Sequence, residues 1–264
     1  MAADRLILGL RRALAKAGDR ERAKAQQAYM KSSLPYHGVS SGEMRAIAKK
    51  VFATYPFDDP AVWRRDVLAI WRAAEKREER YAAIELLQHR RARAFHTLEA
   101  LPMLEEMIVT GAWWDYVDTI AAHDLGAIFS HDSKTMRRRM LEWSTDRDIW
   151  KRRSSILCQL RFKERTDTAL LYACIEPSIE RAEFWLRKAI GWALRELAKT
   201  NPEEVVRYVK ENEARLSGLS KREALKNISE ESIPARRVTS SPSRGGARKT
   251  PASDRRTPSP KRRA

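Results

Sequence analysis

Apolar residues recur three and four positions apart from the N-terminus to about residue 230, and no stretch alternates in the period of two that a strand needs. With only 10 glycines in 264 residues, this pattern points to an all-α fold. Helices are expected over about residues 4–17, 20–31, 42–54, 60–74, 77–90, 97–109, 113–128, 133–144, 148–162, 166–175, 179–199, 202–211 and 220–228. Asn201-Pro202 marks a helix break and restart, and Ser220 with Glu223 three residues on has the form of a capping box.

A second, longer period overlies the first. Trp114, Trp150 and Trp185 are 36 and 35 residues apart, each near an expected helix start. The segments Trp150-Lys151-Arg152-Arg153 and Trp185-Leu186-Arg187-Lys188 are the closest pair. Two helices per unit at that period is the signature of an α-solenoid, here an α-α superhelix of HEAT-like helical repeats. Such a stack presents a continuous concave surface, suited to an extended partner such as a duplex. The repeat domain is expected to span residues 1–232. Residues 234–264 hold five of the eleven prolines, are rich in Ser, Thr and Arg, and contain almost nothing apolar. Residues 233–264 are therefore expected to be a disordered basic tail, with Ser/Thr-Pro steps at Ser241, Thr250, Thr257 and Ser259.

Charge narrows the partner. Lys and Arg total 52 against 35 Asp and Glu, an excess of +17, and residues 235–264 carry only +9 of it. The body is basic without the tail, and a polyanion is the expected partner because neutralised phosphates release counterions. No apolar run reaches bilayer length, and Leu6-Ile7-Leu8 is too short for a signal-peptide core, so a soluble intracellular protein with no membrane partner is expected. Cys158 and Cys174 fall inside apolar helical patterns and read as small buried residues in a reducing compartment. No Gly-rich phosphate loop, Cys/His metal spacing or Ser/His/Asp set is present, so neither metal nor cofactor is expected. The pairs His123-Asp124 and His131-Asp132 lack the companion ligands of a metal-dependent phosphohydrolase.

Some residues stand on the wrong face of their helices. Along Arg187 to Lys199, Leu186, Ile190, Ala193, Leu194 and Leu197 form the apolar stripe at about 100° per residue. Trp192 falls on the opposite face with Lys188, Arg195 and Lys199, where cations could meet phosphate and the indole a sugar or base. Packing of Trp192 under a neighbouring helix is the equal alternative. On the helix from Trp113, the residues Trp113, Tyr116, Val117 and Ile120 look like core, whereas Trp114 and Asp118 line up four apart on an adjacent face. A ring and a carboxylate side by side make a receptor for positive charge, although a surface acid is the commoner role for such an aspartate. Arg153 sits among Ile149, Ile156, Leu157 and Leu160, where it needs either a structural carboxylate or a phosphate.

These residues fall into blocks that resemble the AlkD-like DNA alkylation repair glycosylases. The blocks are Trp113-Trp114-Asp115-Tyr116-Val117-Asp118 with Leu125-Gly126-x-Ile128-Phe129, then Ile149-Trp150-x-x-Arg153-x-x-Ile156-Leu157-x-Gln159-Leu160, then Lys188-Ala189-Ile190-Gly191-Trp192-x-Leu194-Arg195-Glu196. Leu219-Ser220-Lys221-Arg222-Glu223-Ala224 and Tyr29-Met30-Lys31 match the C- and N-terminal helices, and the likeness covers roughly residues 4–228. The resemblance implies release of N3- and N7-alkylated purines from double-stranded DNA by a monomer, without flipping the lesion into a pocket. It implies Trp114, Asp118 and Trp192 as the catalytic set. Arg153 and Arg195 would hold the backbone near the lesion and Tyr29 would lie close to the DNA. Arg161 stands where the family has a DNA-contacting lysine, and Lys188 and Lys199 belong to the same basic face. The residues alone leave two other readings: a non-catalytic helical-repeat module that binds DNA or RNA and needs no Asp118, and a protein–protein scaffold, which leaves the basic face and its tryptophans unexplained.

Overall fold

The computed structural model describes residues 2–228, which form helices and no strands. The helices are α1 (Ala2–Ala17), α2 (Arg20–Met30), α3 (Ser41–Val51), α4 (Pro60–Ala73), α5 (Arg77–Leu87), α6 (Leu101–Gly111), α7 (Trp114–Thr119), α8 (Gly126–His131), α9 (Ser133–Ser144), α10 (Ile149–Leu157), α11 (Thr168–Ile175), α12 (Phe184–Ala198), α13 (Pro202–Glu211) and α14 (Gly218–Leu225). The expected tail, residues 233–264, lies outside the described residues.

Side-chain caps fix most helix starts. Asp19, Ser40, Asp59, Asp132, Asp148, Asp167, Asn201 and Ser217 each accept a first-turn backbone N–H. The helices then stack in two layers. In one, α3 packs on α5, α7 on α10, α10 on α12 and α12 on α14; in the other, α1 packs on α4, α4 on α6 and α9 on α11. Cross-layer pairs such as α4 with α5 and α9 with α10 bury the apolar stripes between the layers, giving the expected α-α superhelix. Cys158 and Cys174 are buried in this core and unlinked.

Several expectations need correction. The helix read as residues 148–162 ends at Leu157, and that read as 179–199 begins at Phe184. Ser220 is not a cap. Ser217 is, and the buried Ser220 hydroxyl donates to the Arg187 carbonyl. The helix read as residues 113–128 is not regular: a π-helical turn, Ile120–Leu125, joins α7 to α8. At its end a side chain on Gly126 would stand 2.9 Å from the Cys158 carbonyl oxygen, so glycine allows the close approach of the α10 end. The tryptophan repeat also has a different member. Trp113, rather than Trp114, meets Trp150 and Trp185, with ring centroids 6.3 and 5.4 Å away, and those two rings are 5.9 Å apart. The period thus corresponds to an aromatic seam joining the starts of α7, α10 and α12.

The contact between α12 and α14 depends on Gly191. A Cβ there would lie 2.5 Å from Glu223 Cβ and 2.9 Å from the Ser220 carbonyl oxygen. Gly191→Ala must push the helices apart, and urea unfolding is expected to show a loss of about 1–3 kcal/mol. An unchanged midpoint would mean that α14 moves freely on α12.

Candidate functional site

The starts of α7 and α12 carry no side-chain cap, and both border one cavity of about 1010 Å³. It collects seven of the nine residues singled out in the sequence: Tyr29, Trp114, Asp118, Arg153, Lys188, Trp192 and Arg195. The other two lie elsewhere. Lys199 and Arg161 border a separate cavity of about 470 Å³, and Lys199 is ion-paired to Glu196 at 2.7 Å. Lys199 shares the angular face of Trp192 but sits seven residues on, about 10 Å along the axis.

Asp118 is the centre of the site. It is only 8% exposed, and both carboxylate oxygens accept from Arg153: Nε to Oδ1 at 2.6 Å and Nη2 to Oδ2 at 2.8 Å. Arg153 itself is 2% exposed and donates its remaining Nη1 to the Trp185 carbonyl. On its apolar stripe Arg153 is thus partnered by the Asp118 carboxylate. Burial pushes the Asp118 carboxyl above its ordinary range, while the Arg153 hydrogen bonds and charge pull the other way.

Rings surround this carboxylate. Trp114 and Trp192 are half-buried and pack against the core edge while lining the cavity. Trp113 and Trp185 add a second wall, and Phe184, 54% exposed, stands 5.0 Å from the Trp185 ring. Tyr29, 79% exposed at the end of α2, borders the same cavity. Trp113, expected in the core, packs against the core edge and also lines the cavity.

Two cations share one acid. Glu223 accepts from Lys188 Nζ at 2.6 Å and from Arg195 Nη1, so a residue of α14 sets two side chains of α12. In the sequence Glu223 stands out only as part of a capping box and of the block that matches the C-terminal helix. Its spacing from Lys188, 35 residues and hence one repeat, was the available signal. Asp115 was also overlooked. Arg77 holds it at 2.5 and 2.7 Å and the Tyr81 hydroxyl donates to it at 2.5 Å, tying α7 to α5. The geometry thus offers a buried negative charge among flat rings, rimmed by cations, an arrangement that can receive positive charge attached to a polyanion.

No curated protein matches the chain. A solved structure described as a predicted DNA alkylation repair enzyme from Enterococcus faecalis aligns with a TM-score of 0.71 at 28% identity, covering 81% of this chain and 97% of that one. Among the described residues no helix is long and apolar enough to cross a membrane. The family described as DNA alkylation repair enzyme matches residues 10–228, a span that holds every residue of the cavity, and the chain belongs to that family.

Proposed function

We propose that the protein is a monofunctional DNA glycosylase whose domain, residues 1–232, releases positively charged N3- and N7-alkylpurines from duplex DNA without flipping them. The observation that carries the reading is Asp118: a buried carboxylate, oriented by Arg153, facing a cavity walled by Trp113, Trp114, Trp185 and Trp192. A module that only bound DNA would gain nothing from burying an acid there.

The chemistry follows from the lesion. An N3- or N7-alkylpurine already carries positive charge, so the C1′–N bond breaks with its electron pair passing to the base, which leaves neutral. No general acid is needed. Positive charge then grows on the deoxyribose, where Asp118 opposes it and the rings of Trp114 and Trp192 hold the sugar. Water adds at C1′ and loses a proton, giving an intact abasic site. Lys188 is tied to Glu223 rather than offered to C1′ as a free amine, which supports hydrolysis over a Schiff base.

The deciding experiment incubates the protein with methylated duplex DNA and measures free 7-methylguanine, 3-methyladenine and abasic sites. Release of base with uncut abasic sites is expected, and no release would refute the reading. Glu223 supplies a second test. Glu223→Gln removes the charge that places Lys188 and Arg195, so release is expected to slow roughly 10- to 100-fold while duplex affinity holds or tightens. Unaltered release would reduce Glu223 to a packing residue.

A further inference from the structure

Five basic side chains outside the Asp118 site border another cavity, of about 350 Å³, and all but His96 stand apart from its one carboxylate. His123 comes from the π-helical turn, Arg93 from the 3-10 turn Arg90–Phe95, and Arg161 and Arg165 from the chain after α10. The carboxylate bordering it is already spent: Asp124 is 2% exposed, with Oδ1 on His96 Nε2 at 2.9 Å and Oδ2 accepting from Gln88 Nε2 at 2.8 Å. Among the described residues, Arg93, Arg161 and Arg165 have no ion pair, not even with the adjacent Glu164. Arg161 instead abuts the His123 ring, Nη1 to Nε2 at 3.4 Å, and Arg165 lies over the Phe162 ring. Cationic groups gathered without a counter-charge, around a concavity, make a local excess of positive potential that an anion would relieve.

The helix geometry links this cavity to the site. In a regular helix His123 would stand about 140° round from Asp118. The π turn has i→i+5 bonding, which reduces that angle. Gln88 borders both this cavity and a neighbouring one, which in turn shares Tyr29, Trp114, Asp115 and Thr119 with the Asp118 cavity.

We propose that this cavity is an anion site that holds a phosphodiester of the strand lying across the Asp118 cavity, with His123 and Arg161 as its inner donors and Arg93 and Arg165 at its rim. The assignment rests on the DNA reading above and deepens it, because it fixes where the strand runs. His123, Arg93 and Arg165 gain a role that no block of the family resemblance supplied. Burial and the neighbouring Arg161 hold the His123 imidazole below its ordinary range, as expected of a ring facing unneutralised cations.

The test uses the full chain and a fluorescent duplex, with affinity measured by anisotropy across salt concentrations. Arg93→Gln with Arg165→Gln should flatten the slope of log Kd against log salt by about 1 and weaken binding about tenfold near physiological salt. Arg138→Gln with Arg139→Gln, which removes equal charge from exposed positions on α9, should leave the slope unchanged. Equal effects from both double variants, or none from the first, would overturn the site. A second arm titrates inorganic pyrophosphate while following the His123 ring resonances, identified by their loss in His123→Gln. A saturable shift that Arg93→Gln with Arg165→Gln abolishes is expected. If the wild-type chain binds no duplex, that shift alone keeps the anion site while the DNA reading falls. Its absence then removes both.

Discussion

Asp118→Asn is expected to slow release of 7-methylguanine from methylated duplex by about 10²–10³-fold while leaving duplex affinity near that of the wild type. The asparagine keeps the shape of the side chain and can still accept one Arg153 N–H, so the chief loss is a full negative charge in a site that is 8% exposed. Binding should survive because the substitution leaves the cavity's cations Lys188 and Arg195 in place. The pH dependence gives a second signature. Release needs the carboxylate, so the rate falls as pH drops through the Asp118 pKa. Burial holds that pKa above the usual carboxylate value against the opposing pull of Arg153, and the acid limb of kcat/KM should therefore lie above the ordinary range. In the complex the cationic lesion favours the ionised form, so the limb of kcat should lie lower than that of kcat/KM. Both limbs should vanish in Asp118→Asn once spontaneous depurination is subtracted. Equal loss of affinity and release would instead make Asp118 a structural acid.

The parts of this site that were legible in sequence are those fixed by angle. At 100° per residue Trp192, Lys188 and Arg195 had to share a face opposite Leu186, Ile190 and Leu197, and the structure puts the three on one cavity and the stripe in the core. Angle says nothing of distance along the axis, so Lys199 was grouped with residues it does not join. It also fails where the period changes, because no residue type marks the i→i+5 turn that follows Thr119 and carries His123. Pairings across helices were equally hidden. Arg153 plainly needs a partner, but spacing cannot choose between an unnamed carboxylate and a phosphate, and only the contact of α7 with α10 brings Asp118 to it. The spacing of Trp113 reads as core, and it does pack there, but no spacing shows that the same ring also walls the cavity.

Arg153→Met should be the most damaging single change to the fold, lowering stability by about 3–5 kcal/mol in urea unfolding. The methionine fills most of the space but leaves Asp118 buried with no partner for either oxygen, and it frees the Trp185 carbonyl that Nη1 now satisfies. With the pull of Arg153 gone, burial and the nearby Asp115 charge act on the carboxyl unopposed, and its pKa climbs further. An acid whose folded pKa exceeds its unfolded one binds its proton more tightly in the folded state. Stability of Arg153→Met should thus fall as pH rises from about 4, the unfolded value, through the raised folded value, and change little outside that window. Activity should run the other way. Asp118 would be protonated and inert at the acid end and ionised at the alkaline end, so release should recover as pH rises. Asp118→Asn, with no carboxyl to ionise, should show no such recovery, and this contrast separates a positioning role for Arg153 from general damage to the site. Arg153→Lys retains the charge without the two-pronged geometry and should fall between the two in both stability and release. If Arg153→Met instead keeps wild-type stability and loses only duplex affinity, the arginine serves a phosphate, and the orientation of Asp118 must come from the helix alone.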